Sequence, residues 1–209
     1  MRIAVIGTGV VGRTLATAFG RLGHDAVVGT RDPEATAGRE EWVESDLRLV
    51  GLAEAGAGAD LVVNATTGSA SLEALADVEL DGKVLLDVSN PLDFSQGFPP
   101  TLTVKDTDSL AEQLQRAHPE ARVVKALNTV TASVMVDPGT LPEATTIFVA
   151  GDDPLARETV RQLLTDLGWA DVVEFPTLDA ARGLEMWLPL WVRLMGALGT
   201  AEFNVRLVR

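Results

Sequence analysis

The sequence predicts an α/β fold: a doubly wound, mostly parallel sheet with a small C-terminal helical appendage. Three observations predict it. Short apolar runs alternate with helical patterns along the chain, which is the signature of βαβ units. Several of those runs, Val84-Leu-Leu-Asp-Val88 and Leu61-Val-Val63 among them, are largely unbroken by polar residues, as strands covered on both faces are. The first run leads straight into the spacing Gly7-Thr8-Gly9-Val10-Val11-Gly12, which then opens a helical pattern, the arrangement of a Rossmann-type unit.

The elements follow in order. Strands are expected over residues 3–6, 26–28, 61–63, 84–88, 123–126, 147–150 and 172–175. Helix one places Val11, Leu15, Ala18, Phe19 and Leu22 on one face and stops at Gly23, a residue suited to a helix C-terminus. Residues 109–117 and 155–167 are amphipathic, the latter ending at Gly168. Residues 31–45 and 89–103, rich in turn formers, are expected to be irregular. Residues 178–198 turn helical, which divides the chain into a dinucleotide-binding domain, 1–176, and a C-terminal helical segment, 177–209, packing on it or forming a dimer or acceptor pocket.

Composition narrows the function. A formal charge of -13 repels phosphate backbones and anionic lipid, so neither nucleic acid nor membrane is an expected partner. Cysteine is absent, which removes disulfides, thiolate metal sites and thiol nucleophiles, and the two histidines, His24 and His118, offer no metal-ligand spacing. No metal is expected. The chain starts directly on its first strand, and its longest apolar-rich stretch, 184–198, is interrupted by Glu185, Pro189 and Arg193. A cytoplasmic protein is the expectation.

The glycine loop is the first candidate site. Lying between a strand and a helix, it supplies the tight turn and the free helix N–H groups that a pyrophosphate needs, at Gly7, Thr8, Gly9, Val10, Val11 and Gly12. The second strand runs into Gly29-Thr30-Arg31, where an NAD site usually carries an acid for the ribose hydroxyls. Thr30 and Arg31 instead suit a 2′-phosphate, and NADP(H) is the expected cofactor; Asp32 would restore the acid if the strand ended later. Four segments follow strands at the edge where open α/β sheets bind ligands: Asn64-Ala65-Thr66-Thr67, Ser89-Asn90-Pro91-Leu92, 125–129 with Asn128, and Gly151-Asp-Asp153.

The inventory of proton donors is short. With no tyrosine in the chain, a Tyr–Lys relay is impossible. Lys125 is the one lysine within an expected core strand, and carbonyl or imine reduction would have to recruit it, Asp87 or Asp93 as a general acid. Hydride transfer between two cofactor rings asks less of the protein. The sequence by itself names no catalytic residue.

These residues resemble those of the NADPH-dependent F420 reductase family. The resemblance rests on Met1-Arg-Ile-Ala-Val-Ile-Gly-Thr-Gly, Gly29-Thr-Arg-Asp-Pro33, Asp87-Val-Ser-Asn-Pro-Leu92, Val123-Val-Lys-Ala-Leu-Asn-Thr129 and Ala181-Arg182 with the tryptophan-bearing helix after it. It implies that residues 8–11 line the pyrophosphate, that Thr30 and Arg31 hold the 2′-phosphate, and that the Asn-Pro and Asn-Thr segments border the nicotinamide. It further implies a deazaflavin, coenzyme F420, as the small-molecule redox acceptor, and a homodimer. The segment 93–100 looks longer than in the archaeal enzymes. Deazaflavin carries anionic groups, for which Arg182, Arg193 and Arg206 are the candidate partners. Two alternatives stay open: reduction of a small imine or carbonyl, with Lys125 or a water positioned by Asn128 as the proton source, and a non-catalytic NADPH-binding sensor.

Overall fold

The computed structural model describes all of residues 1–209. Ten strands form along the chain: β1 (Arg2–Ile6), β2 (Asp25–Thr30), β3 (Arg48–Gly51), β4 (Leu61–Asn64), β5 (Val84–Asp87), β6 (Leu92–Asp93), β7 (Thr101–Leu102), β8 (Arg122–Ala126), β9 (Thr146–Gly151) and β10 (Asp171–Phe175). Nine helices alternate with them: α1 (Val10–Arg21), α2 (Pro33–Ala37), α3 (Leu52–Ala57), α4 (Ser71–Leu75), α5 (Leu110–Ala117), α6 (Ala132–Val136), α7 (Pro154–Asp166), α8 (Ala181–Met186) and α9 (Leu188–Leu198).

Eight strands make one sheet in the order β10-β9-β8-β5-β4-β1-β2-β3. From β1 the chain winds outward through β2 and β3, then returns to the other side of β1 at β4. The crevice above the ends of β1 and β4 is therefore the topological switch point, where such sheets bind ligands. All neighbours are parallel except β8 and β9, which pair antiparallel. Consequently β9 and β10 run against the rest of the sheet.

Each face carries its own core, because successive strand side chains point to opposite sides. Ile3, Val5, Leu61, Val63, Val124 and Ala126 pack with Leu15 and Phe19 of α1 and Val160 and Leu163 of α7. Ala4, Ile6, Val62, Leu85 and Val123 pack with Ala55 of α3, Leu75 of α4, and Leu110 and Leu114 of α5. The segment after β10 joins this second core through Leu178 and Ala181, and Leu184, Leu188 and Val192 are also buried. The tail then runs back along β9, Thr146 N–H donating to the Val205 carbonyl and Leu207 N–H to Thr146 Oγ1, each at 2.9 Å. No helix is long and apolar enough to cross a membrane.

Four features differ from expectation. Residues 31–45 hold α2 and a short 3-10 turn over Glu40–Trp42, because Asp32 caps the Ala35 N–H at 2.9 Å with Pro33 in the first helical position. The edge strand β3 was missed. Residues 89–103 contain the small antiparallel pair β6 and β7. The long C-terminal helix is divided at Trp187 into α8 and α9, with Pro189 in the first turn of α9, where its missing N–H costs no hydrogen bond.

Candidate functional site

The glycine loop lies at the switch point. Each of its three glycines answers to a different neighbour. Gly7 has φ +132°, and a Cβ there would sit 2.4 Å from the Ala65 carbonyl oxygen at the end of β4. At Gly12 a Cβ would stand 2.0 Å from the Gly7 carbonyl oxygen, so α1 crosses β1 too closely for any side chain. Gly9, by contrast, faces open space, with nothing within 4 Å of the Cβ position. It is the N-cap of α1 and receives no side-chain cap, which leaves the first amides of a 12-residue helix directed at that opening. Such a cradle fits a pyrophosphate. Val10, 64% exposed, and Val11 follow in the first turn.

Thr8 is gripped from a segment that sequence reasoning passed over. Trp42, buried in an otherwise polar stretch, donates Nε1–H to the Thr8 carbonyl at 3.2 Å, and Arg39 Nη1 donates to Thr8 Oγ1 at 3.3 Å. The lone tryptophan among charged residues was the signal that could have revealed it. Arg39 thereby reaches the glycine loop beside the end of β2.

At that end, the two expected phosphate readers part company. The Arg31 side chain is 82% exposed and stands 3.9 Å from the Glu73 carboxylate. Thr30 is buried and its hydroxyl exchanges a hydrogen bond with Thr36 Oγ1 at 3.0 Å. Its hydroxyl is therefore engaged within the fold, against α2. β2 ends at Thr30, and Asp32 is committed to capping α2, so no acid occupies the ribose position.

Behind the other half of the crevice lies a buried polar row. Asn64, Asp87 and Lys125 occupy adjacent register positions on β4, β5 and β8 and point to the same face. Lys125 Nζ donates to Asp87 Oδ2 at 2.7 Å and to the Ser89 carbonyl at 2.6 Å, and meets Glu185 Oε1 of α8 at 2.9 Å. All three ammonium protons have partners. Asp87 Oδ1 also accepts from Ser89 Oγ at 2.6 Å and Asn64 Nδ2 at 2.9 Å, while Glu185 accepts from Leu110 and Ala111 N–H at 2.9 and 3.2 Å, capping α5. Burial alone would lower the Lys125 pKa, but the charges of Asp87 and Glu185 overcome it and raise it above the ordinary lysine value. The Glu185 carboxyl is pushed up by desolvation, against the pull of Lys125. Removing one member of such a cluster strands a buried charge, at a cost of about 3–5 kcal/mol.

A second tie lies beside the first. Asn128 Nδ2 donates to Asn90 Oδ1 at 2.9 Å and to the Leu184 carbonyl at 3.0 Å, and Asn90 Nδ2 donates back to the Asn128 carbonyl at 3.0 Å. Leu127, just before, adopts φ +63°, a left-handed conformation that costs a branched residue about 1–3 kcal/mol and persists only where its surroundings impose it. Asn128 Oδ1 and Thr129 Oγ1 are buried without partners.

A relative from Methanothermobacter thermautotrophicus named F420-dependent NADP reductase is 30% identical over 207 residues, covering 93% of this chain and 89% of its own. The chain belongs to the F420-dependent NADP oxidoreductase family. The family model, NADP oxidoreductase coenzyme F420-dependent, matches residues 2–91, which include the glycine loop and Asn90-Pro91. The crystal structure of a candidate F420-dependent NADP reductase from Arthrobacter sp. FB24 is 51% identical, covers 100% of both chains and superposes with a TM-score of 0.96. Metalloreductase STEAP3 of Rattus norvegicus is 30% identical over 91% of this chain, which spans only 38% of that protein's length. A reductive aminase from Aspergillus terreus, 21% identical over 95% of this chain and 62% of its own at a TM-score of 0.65, shares the fold.

Apart from Thr30, the expected cofactor residues fall into two groups. Gly7, Thr8, Gly9, Val10, Val11 and Gly12 lie on the glycine loop and the first turn of α1, and Arg31, Ala65, Thr66, Asn90 and Pro91 lie in the turns after β2, β4 and β5, at the edge of the sheet where the crevice opens. Asn64 and Asn128 do not line it: they are 0% and 2% exposed, and they brace the turns that do. Asn64 Oδ1 accepts from Thr66 Oγ1 at 2.7 Å, which leaves its amide no free group to offer a ligand. Gly151-Asp-Asp153 is also misplaced by sequence reasoning. Because β9 is antiparallel to β8, this segment leaves the sheet at the opposite edge, where Asp153 caps α7 and Asp152 accepts from Leu178 N–H.

The three candidate cations for an anionic acceptor are unequal. Arg206 stands 3.3 Å from the Glu143 carboxylate. Arg182 holds Glu112 of α5 with two hydrogen bonds, at 2.9 and 2.5 Å. Arg193, exposed on α9, is in no ion pair. The Arg182 hydrogen bond, with help from Ser109 and against partial burial, holds the Glu112 carboxyl below its ordinary range. A depressed folded-state pKa means that this pair's contribution to stability is complete above the unfolded carboxylate value and is lost as pH falls through the lowered one. Urea unfolding should therefore show Glu112→Gln less stable than the parent at neutral pH, with the gap closing as pH drops below about 4. A gap that persists unchanged at low pH would mean the carboxylate charge contributes nothing.

Proposed function

We propose that this protein transfers a hydride between NADP(H) and a deazaflavin-type acceptor, coenzyme F420 or a close relative. The observation that carries this reading is the withdrawal of every side chain nominated as a general acid. Lys125 and Asp87 are 0% exposed within one cluster, with the lysine's protons all engaged. Asp93 is bonded to the Ser95 N–H at 2.8 Å, and this bond lowers its pKa, so it is ionised at neutral pH and has no proton to give. Reduction of a carbonyl or imine needs a placed acid. Hydride transfer to a second redox ring does not.

When bound, NADPH supplies a hydride and the acceptor ring takes it up, with the accompanying proton drawn from solvent. The residues of this chain bind and orient. The amides after Gly9 and the turn at Gly7 hold the pyrophosphate; Arg31 and Arg39 pair with the 2′-phosphate; Ala65, Thr66, Asn90 and Pro91 border the nicotinamide half. Alignment of this kind lowers the barrier without any covalent step by the protein. Exposed Met186, Leu190 and Leu198 on the C-terminal helices support the expectation that a second copy covers that face.

The test mixes the protein with NADPH and oxidised deazaflavin and follows the absorbance of both. One deazaflavin should bleach for each NADPH consumed. If NADPH is consumed only with an imine or carbonyl present, the acceptor is of that class instead. No turnover despite bound NADPH would sink the hydride-transfer reading.

A further inference from the structure

The buried cluster serves more than the packing of the sheet. We infer that Glu185, acting through Lys125, is a positioning residue for the half of the ligand crevice that lies over β5 and β8. The inference rests on the reading that NADP(H) spans the switch point, and it adds a role for the C-terminal segment in holding that cofactor.

Two adjacent residues of α8 each reach one of the two turns that border this half. Glu185 Oε1 meets Lys125 Nζ at 2.9 Å, and Lys125 donates to the Ser89 carbonyl at 2.6 Å, one residue before Asn90-Pro91. The Leu184 carbonyl accepts from Asn128 Nδ2, which also binds Asn90 Oδ1. The turn after β5 and the turn after β8 are thus fixed to each other and to α8 at the same time. The turn after β8 opens on the left-handed Leu127, strain that these ties hold in place. The adenosine half lies on the other side of the switch, at the end of β2, where no residue of α8 is in contact.

A role confined to stability and a role in positioning make different predictions. Glu112 tethers the same helix pair, α5 and α8, through Arg182, yet it lines a separate groove with Asp152 and Leu178 and makes no bond to Lys125, Asn90 or Asn128. It provides the internal control. Two ligands complete the design: NADPH, which fills the whole crevice, and adenosine 2′,5′-bisphosphate, which carries only the half beyond the switch.

Glu185→Gln is expected to raise the NADPH dissociation constant about tenfold while changing that of the bisphosphate less than about twofold. Lys125→Met should do the same or more, and Glu112→Gln should lower the melting temperature without separating the two ligands. Asn128→Ala, which cuts only the second tie, should separate them in the same direction, and Glu185→Asp, which keeps the charge but shortens its reach to Lys125, should also separate them and keeps the inference testable if Glu185→Gln or Lys125→Met fails to fold. Equal weakening of both ligands, or no change in either, in the variants that fold overturns the inference. Binding is measured without an acceptor, so a failure of deazaflavin turnover in the parent protein is read separately from a failure here.

Discussion

Gly9→Ala is expected to leave the free protein as stable as the parent and to raise its NADPH dissociation constant about 100-fold or more. The two halves of that expectation come from one fact: nothing lies within 4 Å of the Cβ position at Gly9. Its φ of -76° and ψ of -174° are open to any residue, so alanine meets no strain and no neighbour in the free chain. The space it fills is the space above the α1 N-terminus. A pyrophosphate held there by helix amides makes charge-assisted hydrogen bonds worth about 1.5–3 kcal/mol each, and displacing it from two of them costs about 3 kcal/mol, a factor of about 100. Gly12→Ala provides the contrast. Its Cβ would lie 2.0 Å from the Gly7 carbonyl oxygen, so backbone must shift, and both melting temperature and binding should fall. Calorimetric melting of the free proteins and NADPH titration separate the two cases. If Gly9→Ala binds NADPH as tightly as the parent, the pyrophosphate does not lie on this loop.

Such features could be read from sequence because they are local. The run Arg2 to Ile6, the three glycines and the amphipathic helix after them lie within 21 residues, and each constrains its neighbours through short-range sterics. β3 escaped notice for an equally physical reason. It is an edge strand in which only Val50 is buried, so it carries almost none of the apolar signal that marks an inner strand. The direction of β9 was hidden because an apolar run reads the same whichever way the strand points, and that ambiguity moved Gly151 to Asp153 to the wrong edge.

The buried cluster shows the limit most plainly. Asp87 and Lys125 each drew attention as possible acids, but their pairing depends on the register of β5 against β8, and Glu185 arrives 60 positions after Lys125. In sequence Glu185 interrupts an apolar stretch; in the fold it caps α5 and neutralises a lysine. Asn64 and Asn128 show the same limit in reverse. Short polar residues after a strand can face a ligand or turn under it, and only packing decides which. Here both turn under.

The second large effect concerns the cofactor's phosphate. With a net charge of -13, the protein as a whole repels a ligand as anionic as NADPH, so recognition has to come from cations placed next to it. Thr30, sealed against Thr36, cannot contribute, and Asp32 is held at the α2 cap. That leaves Arg31 and Arg39. The contact of Arg31 with Glu73, at 3.9 Å and 82% exposed on both sides, is of the kind worth at most about 1 kcal/mol, which leaves the guanidinium free to turn to a phosphate. Arg31→Ala should therefore raise the NADPH dissociation constant about 10- to 100-fold and that of NADH by less than about threefold, and the NADPH affinity of the variant should depend less on salt than that of the parent. Arg31→Asp goes further, since it places at the end of β2 the acid that ribose hydroxyls bind, and it should turn the preference toward NADH. Equal losses for both cofactors in Arg31→Ala would mean that the residue does not read the phosphate. If Arg31→Asp still prefers NADPH, recognition rests on Arg39, whose bond to Thr8 ties the phosphate reader directly to the glycine loop.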